Sequence, residues 1–528
     1  MSYVETQSLL SARWYTIKHS IDKLKQQRYN PDVEMSLPYK KLLSGTYYPL
    51  TLPDDIKTIE KHELWTKLGH FLFWTAGILR KEWNHPYVDH RSFPSPRSIY
   101  ATEFYLLFRS TNEEDKTWNS YRYSPTHHRL ELAKNEIPQE KVKIACGLSD
   151  QNILNVEFFM MINSNVWRMG CKYSDFAYRL ILLEAGHAIE NLIDLSRYYG
   201  WEAKGQFLFV DHLLASFIGI DMKQEPSFSV FSFFSQNNSD SEKIYKFKHD
   251  GVHYNNHSKQ KLESMECKWQ EITGNCKGIA DLEEKSRIFS LAELKSIRGK
   301  LSDEGSLRGN NSYDFRRNST LKNRISDINQ RHSGRGPFGI NGPKRLVSKE
   351  ESKLFFLYLQ HALNDMNSIV DCHIRPNIYM VPLQMEGFQQ GVYQIGEDLI
   401  PTLVNSNVSV DIMREGYLGG SINFNNLPVH WFITADIEKY LNTYGSRGYR
   451  IAHLMGGIIS QKILLAAGHL GMFARPIMAF DDLIYEKLLN INYDDEIILE
   501  HILIGTNRYK GWQIMTFPNW RKGNLYEK

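Results

Sequence analysis

The sequence predicts an α+β chain made of two tandem copies of one domain, each a mainly antiparallel sheet flanked by helices. The first observation is a repeat at fixed distance. Residues 171–200 read CKYSDFAYRLILLEAGHAIENLIDLSRYYG and residues 442–471 read NTYGSRGYRIAHLMGGIISQKILLAAGHLG. Tyr173 matches Tyr444, Tyr178 matches Tyr449, Arg179 matches Arg450, Leu183 matches Leu454, Gly186 matches Gly457 and Gly200 matches Gly471, always 271 positions on. Phe209 with Phe480 and Asp211 with Asp482 keep that register. So long a period excludes a solenoid of short units. Two copies in one chain stand in for the subunits of a symmetric dimer, so an intramolecular pseudo-dimer is expected, with each half free to lose different parts. The second observation is that both copies run through the same order of helix-like and strand-like segments, without regular βαβ alternation.

In chain order, residues 1–56 read as an N-terminal arm ending in the proline-punctuated YYPLTLP. The first copy takes 57–235. HELWTKLGHFLFWTAGIL places Leu64, Leu68, Leu72 and Ala76 on one helical face, with Gly77 at the stop. ATEFYLLFRS and SYRYSPTHHRLEL alternate like strands, the second turning at Ser124-Pro125. A long helix from about Tyr178 to Tyr199 carries Leu180, Leu183, Ile189, Leu192, Ile193 and Leu195, and its small Ala185, Gly186 and Ala188 suit close packing on another helix. FSVFSFF at 228–234 reads as a buried strand closing the copy. Residues 236–320 turn polar and read as an inserted, partly helical linker. The second copy, 321–528, repeats the order: KEESKLFFLYLQHAL as helix, then NIYMVPLQ, GVYQI and VHWFITAD as strands, the repeat helix, and EHILIGTNRY as the last strand.

With 528 residues there is room for two or three domains and a sizeable core, and 42% hydrophobic with 13% aromatic residues is the make-up of a globular protein. A net charge of +3 from 63 basic and 60 acidic residues gives no footprint for nucleic acid. The first thirty residues hold Lys18, Lys23, Lys25 and Arg28 and do not resemble a signal peptide. No uninterrupted apolar run reaches the ~18–20 residues of a membrane span, so none is expected. Five cysteines without a CxxC pair predict neither disulfides nor structural zinc, and place the chain in a reducing cytoplasm. His253, His257, Cys267 and Cys276 match no zinc spacing, and no metal is assigned.

Arg331-His332-Ser333-Gly334-Arg335 is the stretch richest in chemistry. Two guanidiniums flanking a hydroxyl on a short glycine-containing turn can clamp a phosphate with charge-assisted bonds; the same residues also suit a solvated basic loop. Arg508 and Lys510, alone, are a basic strand end. Lys172-Tyr173, read on a strand, is a surface lysine beside a packing tyrosine, adjacent side chains there facing opposite ways. His187 and Glu184 lie three apart on the repeat helix, where packing is the simpler role.

These residues, taken with LGHFLFWTAGI, RSFPSPRSIYATEFYLL, SYRYSPTHHRLEL and KYSDFAYRLILLEAGHAIENL in one copy and QRHSGRGPF, EGFQQGVYQ, TYGSRGYRIAHLMGG and AAGHLGMFARPIMAFDD in the other, resemble the FMN-dependent nitroreductase superfamily. Within it they are similar to the SagB-type peptide dehydrogenases, or azoline oxidases, over most of residues 60–235 and 325–510. The resemblance implies that Arg331, His332, Ser333 and Arg335 hold the FMN phosphate and ribityl chain, with Arg508 and Lys510 as a second phosphate contact. It implies that Pro94, Ser95, Arg97 and Ser98, within PSPRS, line the flavin from the opposite copy. It also implies that Arg475-Pro476-Ile477-Met478-Ala479 passes the isoalloxazine, with Pro476, Met478 and Ala479 alongside it and backbone N–H groups at its N5 edge.

Lys172 and Tyr173 are the catalytic pair the resemblance implies. Oxidising a thiazoline or oxazoline to its azole removes a proton from Cα and a hydride from the neighbouring carbon, so a base must stand beside the ring. The second copy has Thr443-Tyr444 there. The first copy reads DDIKTIEKHE between Pro53 and Leu64, without the arginine loop, and the second reads CHIRPNIYMV in place of PSPRS. These losses are complementary, so one composite pocket and one FMN per chain are expected. The implied substrate is a heterocyclised precursor peptide of ribosomal origin, with a cyclodehydratase complex as possible partner and oxygen reoxidising the flavin. Two other readings stand beside this one: an NAD(P)H-dependent nitro or quinone reductase, and a non-catalytic scaffold of a peptide synthetase complex.

Overall fold

A computed structural model describes residues 46–53, 64–82, 89–110, 116–236, 252–253, 277–303, 320–334, 339–420, 422–492, 495–508 and 515–516, and every statement of absence below concerns these residues. Arg335, Lys510, the arm before residue 46 and the DDIKTIEKHE stretch lie outside them.

The first copy comprises β1 (Thr46–Pro49), α1 (Leu64–Ala76), β2 (Ile78–Lys81), β3 (Asp89–Arg91), β4 (Thr102–Arg109), β5 (Thr117–Ser124), β6 (Arg129–Pro138), α2 (Gln139–Cys146), α3 (Asp150–Leu154), β7 (Phe158–Ser164), α4 (Val166–Tyr173), α5 (Ala177–Ser196), β8 (Trp201–Gln206), α6 (Asp211–Ile218) and β9 (Ser227–Ser235). The connecting region holds β10 (Val252–His253), α7 (Lys277–Lys285) and α8 (Leu291–Asp303). The second copy comprises α9 (Leu321–Gln330), α10 (Lys349–Met366), β11 (Asn377–Pro382), β12 (Val392–Ile395), β13 (Pro401–Asn405), α11 (Val410–Glu415), β14 (Val429–Asp436), α12 (Ile437–Tyr444), α13 (Arg447–His469), β15 (Phe473–Ile477), α14 (Asp482–Leu489), β16 (Glu496–Gly505) and β17 (Met515–Thr516).

The expected α+β tandem is what forms. One sheet runs β10-β1-β6-β5-β4-β7-β9-β8 and the other β13-β12-β11-β14-β16-β15. Six strands follow the same spatial order in each, β6-β5-β4-β7-β9-β8 matching β13-β12-β11-β14-β16-β15, all antiparallel. β1 is an addition peculiar to the first copy, pairing Tyr48 with Leu130. A third sheet, β17-β2-β3, ties the end of the second copy to the first.

The two repeat helices, α5 and α13, form the seam, and counterparts in the repeat meet each other there. Tyr178 stacks on Tyr449 with ring centroids 6.1 Å apart and planes within 8°. Arg179 donates to the carbonyl of Ile498 at 2.7 Å, and its counterpart Arg450 donates to that of Ser227 at 3.0 Å, again 271 positions away. Gly186 and Gly457 face each other on this pseudo-dyad. A Cβ on Gly457 would stand 2.4 Å from the Leu183 carbonyl oxygen, and one on Gly186 would stand 2.3 Å from that of Leu454. Both obstacles are backbone and cannot rotate away. Gly457→Ala is therefore expected to lose about 1–3 kcal/mol by forcing the helices apart, read as a lowered midpoint in denaturant; an unchanged midpoint would contradict this packing. α13 is long and apolar enough to cross a membrane, with a mean hydropathy of 1.3, but that stretch is wholly buried and is the core helix of the pseudo-dimer.

The connecting helices belong to this core. Ile279, Leu282, Ile288, Leu294 and Leu301 are buried. Glu283 on α7 accepts from Arg450 at 2.8 Å and from the Tyr178 hydroxyl. Arg447 on α13 donates to the Ser286 carbonyl at 2.9 Å and to Asp211 at 2.7 Å.

Candidate functional site

α9 ends at Gln330, and the chain then turns across the seam. Arg331 is buried and donates from Nε to the Ser92 carbonyl (3.0 Å) and from Nη2 to that of Arg91 (3.3 Å), while Arg80 of β2 donates to the Arg331 carbonyl (3.0 Å). The arginine turn of the second copy thus lies against the strand that leads into Pro94-Ser95-Pro96-Arg97-Ser98 of the first. Gly468 on α13 lets the turn lie close, since a Cβ there would stand 3.0 Å from the Arg331 nitrogen. Gly334 has φ +74, and a Cβ on it would stand 2.7 Å from the Phe473 ring, so only glycine fits. β15 holds the turn from the other side: Ala474 N–H donates to the His332 carbonyl (3.1 Å) and Arg475 Nε to that of Ser333 (2.8 Å). His332 Nδ1 accepts from Gly334 N–H (3.1 Å), and Nε2 lies 3.2 Å from the side-chain amide of Asn507, the neighbour of the exposed Arg508.

The Pro94–Ser98 stretch is a tight turn stored in unusual backbone. Arg97, Ser98 and Tyr100 have φ of 52°, 57° and 52°, a region that costs a non-glycine residue of order 1–3 kcal/mol. It is fixed by Ser95 Oγ accepting from Tyr100 N–H (2.8 Å) and by the Tyr100 hydroxyl accepting from Arg91 N–H (2.8 Å). Pro94 is buried, Ser95 and Ser98 are half-buried and Arg97 is exposed. Glu184 of α5 accepts from both the N–H and the hydroxyl of Thr102 at 2.7 Å, anchoring the strand that follows; burial pushes its carboxyl up. His187, one turn on, has Nδ1 2.6 Å from the Leu183 carbonyl and Nε2 3.1 Å from Ser460 Oγ.

Lys172 and Tyr173 form the last turn of helix α4, which corrects the strand reading: Asn165 caps α4 by accepting from Arg168 N–H, so VWRMGCKY starts as a helix. Both side chains are half-buried. α4 is tied to the segment that follows the Pro94–Ser98 turn by Asn165 N–H to the Ala101 carbonyl (2.9 Å) and by Arg168 to the Tyr100 carbonyl (2.6 Å) and Glu103 (2.7 Å). Lys172, four residues after Arg168, lies on the same face of the helix. Its counterpart neighbour Tyr444 accepts from His373 N–H (3.3 Å), just ahead of β11.

Comparing the two copies shows which binding groups stay open. Phe207 and Leu208 correspond to Met478 and Ala479. In the first copy, both N–H groups donate to the Asp371 carboxylate at 2.8 Å, and Ser368–Val370 pairs with the outer edge of β8 at Gly205 (2.8 and 3.0 Å). In the second copy, the N–H groups of Met478 and Ala479 meet no acceptor among the described residues, while the Ala479 carbonyl accepts from Leu418 N–H at 2.9 Å. One twin is plugged by the chain itself; the other presents two consecutive donors, just past the strand that holds the arginine turn.

Electrostatics sharpens the contrast. Burial pushes Arg331 down to about 10, with Arg80 adding to the effect, and pushes His332 well below the usual imidazole range, helped by Arg80, Arg331 and Arg475. Arg331 Nη1 is buried with no hydrogen-bond partner among the described residues. An unmet donor on a buried cation is costly, and an anionic acceptor relieves it. The turn, with its hydroxyl and neutral histidine, therefore fits a phosphate. Sequence reasoning missed Arg80, Glu82, His90 and Arg91, which frame this corner: Arg80 pairs with Glu82 (2.8 Å), Glu82 lies 3.3 Å from His90, and His90 lies 3.4 Å from Ser98 Oγ. ILRKE and the HRSF that precedes PSPRS held them in plain view, but two short strands gave no periodic signal.

No family model and no curated protein matches this chain. Among solved structures it is similar to a protein from Anabaena variabilis named as a nitroreductase, with 17% identity and a TM-score of 0.68, over 94% of this chain and 99% of that one. A Ralstonia eutropha protein likewise named shows 16% identity and a TM-score of 0.28, covering 40% of this chain and 99% of that one. The E. coli microcin synthetase McbBCD complex with truncated pro-MccB17 bound shows 19% identity and a TM-score of 0.28, covering 42% of this chain and 82% of that one. The Anabaena likeness spans both copies, and the fold is nitroreductase-like.

Proposed function

We propose that this chain is an FMN-dependent dehydrogenase that oxidises thiazoline or oxazoline rings to azoles in a ribosomally made peptide. The observation that carries the flavin part is the asymmetry of the twin amide pairs: Asp371 fills one, and the Met478–Ala479 pair stays open beside a cationic turn with an unmet Arg331 donor. Arg331, His332 and Ser333 would hold the phosphate end, with Arg335, Arg508 and Lys510 as expected additions. Met478 and Ala479 would meet the ring edge, next to Pro476, and Pro94, Ser95, Arg97 and Ser98 would close the site from the first copy. Bound FMN would supply a two-electron acceptor, reoxidised by oxygen. The chain's own residues orient the ring, exclude water and remove the Cα proton; Lys172, or Tyr173 beside it, is the base, and the neighbouring carbon gives up a hydride as the ring's new double bond forms. The SagB-type resemblance and the tethering of α4 to the segment that follows the Pro94–Ser98 turn support that assignment. The same resemblance favours a cytoplasmic enzyme working beside a cyclodehydratase.

Arg331→Ala is expected to lose FMN on desalting, falling from about one flavin per chain toward none, because a buried charge-assisted phosphate contact is worth about 1.5–3 kcal/mol. The measurement is the flavin-to-chain ratio by visible absorbance. A variant that stays as yellow as the parent removes the phosphate assignment, and a colourless parent that refuses added FMN removes the function.

A further inference from the structure

The plug in the first copy is itself a built site. Asp371, 3% exposed, accepts from Phe207 N–H on one carboxylate oxygen and from Leu208 N–H on the other, both at 2.8 Å. Arg298 of α8 backs the carboxylate at 3.7 Å and donates to the Leu208 carbonyl (2.8 Å) and to those of Cys146 and Gly147 (3.3 Å each). Gly147 leaves room for it, since a Cβ there would stand 2.5 Å from Arg298 Nη1. The two copies are in register here: Val210 N–H donates to the Ala145 carbonyl as Asp481 N–H does to that of Gly416, each 271 positions on. In the second copy the carbonyl matching Leu208, that of Ala479, takes the backbone N–H of Leu418 where the first copy uses the guanidinium. A second difference explains why one twin is filled and the other is not. Gly205 offers both N–H and C=O to the segment that carries Asp371, whereas its counterpart Pro476 has no N–H to offer.

We propose that the first copy holds a carboxylate-binding site, made of the Phe207 and Leu208 N–H groups and the Arg298 guanidinium, and that Asp371 is its built-in ligand. The parts come from three regions of the chain: the amides from the first copy, the guanidinium from the connecting helix α8 and the carboxylate from the second copy. The site therefore latches the other two regions onto the first copy. Its donors select the ligand class. Two consecutive N–H groups on separate oxygens match a two-pronged acceptor, and the guanidinium supplies the countercharge. A carboxamide would set its own NH₂ against one of these donors and leave it unmet. Formate fits the space that the Asp371 carboxyl group vacates when the side chain is cut back. The site stands whether or not the flavin reading does.

The test uses the full chain with Asp371→Ala, unfolded in urea with sodium formate or with sodium chloride at equal concentration. In chloride the variant is expected to unfold at a lower midpoint than the parent. Formate is expected to raise that midpoint saturably, as a ligand of the folded state does. The parent, its site already filled, should respond alike to the two salts. Adding Arg298→Ala to Asp371→Ala should raise the half-saturating formate concentration about tenfold or more. Asp371→Asn, which keeps the site filled, should lose stability without rescue by formate. Should Asp371→Ala fail to fold in chloride, its refolding yield in formate against chloride is the readout, with equal yields counting against the site. A midpoint that Asp371→Ala leaves unchanged, an equal response to formate and chloride, or a formate effect indifferent to Arg298 overturns the proposal. A colourless chain whose Asp371→Ala variant still answers to formate keeps the carboxylate site and loses only the flavin reading.

Discussion

Lys462→Ala is expected to destabilise the chain by about 3–5 kcal/mol, because it strips the partner from carboxylates that have no access to water. The ammonium is fully buried at the seam, 2.9 Å from Glu190, 2.9 Å from Asp194 and 3.1 Å from Asp365. Burial opposes its charge, but the Asp194, Glu190 and Asp365 carboxylates overcome that and hold it above the usual lysine range. Burial pushes Glu190 well above the carboxylate range, against the pull of Lys462. Asp194 is held low, against its burial, by Arg324 and Lys462, and Asp365 is held low, likewise, by Arg197 and Lys462. Arg324 joins the set at 2.7 Å from Asp194 and also reaches Asp327, whose carboxylate holds His469 at 2.7 Å and whose backbone carbonyl accepts from Arg331 N–H at 2.9 Å. The cluster therefore fixes α9 and the entry to the arginine turn. Denaturant unfolding should show the loss, and the folded remainder should bind FMN more weakly. A Lys462→Ala protein with parental stability would mean the ion pairs contribute nothing to the seam.

Lys172→Ala is expected to lower the rate of azole formation by about 10²–10⁴-fold, the ordinary worth of a positioned base, with the flavin content unchanged. The half-buried residue stands in the last turn of α4, away from the contacts that hold Arg331, so phosphate binding does not depend on it. The readout is the mass loss of two hydrogens per ring on an azoline peptide, measured beside the flavin ratio. Undiminished aromatisation would move the base to Tyr173 or off α4 altogether.

Much of the fold was legible because the repeat is gap-free over its central stretch. Residues 271 apart that match in type turn out to meet across the seam, as Tyr178 with Tyr449 and Gly186 with Gly457 do. β13 escaped notice because Pro-Thr-Leu-Val-Asn is short and half-exposed, with neither alternation nor a buried run to mark it. α4 was misread because its eight residues offer only two turns of pattern, and its asparagine cap was outweighed by the repeat helix that follows. The linker's polar average hid Ile279 and Leu282 on α7, Leu294 and Leu301 on α8, and Ile288 between the two helices, all buried.

By itself the sequence determined that the chain is a doubled α+β unit, that the halves differ in complementary places, and which arginine turn and proline–serine stretch are candidates for a shared pocket. Periodicity and residue type suffice for that, because they act locally and repeat. Only the tertiary structure decided that Arg331 lies on the strand before Pro94, that Arg80 and Arg475 gather round His332, and that Asp371 caps one amide pair while its twin stays open. These depend on groups hundreds of positions apart being desolvated together, and burial is set by the whole packing rather than by any one segment.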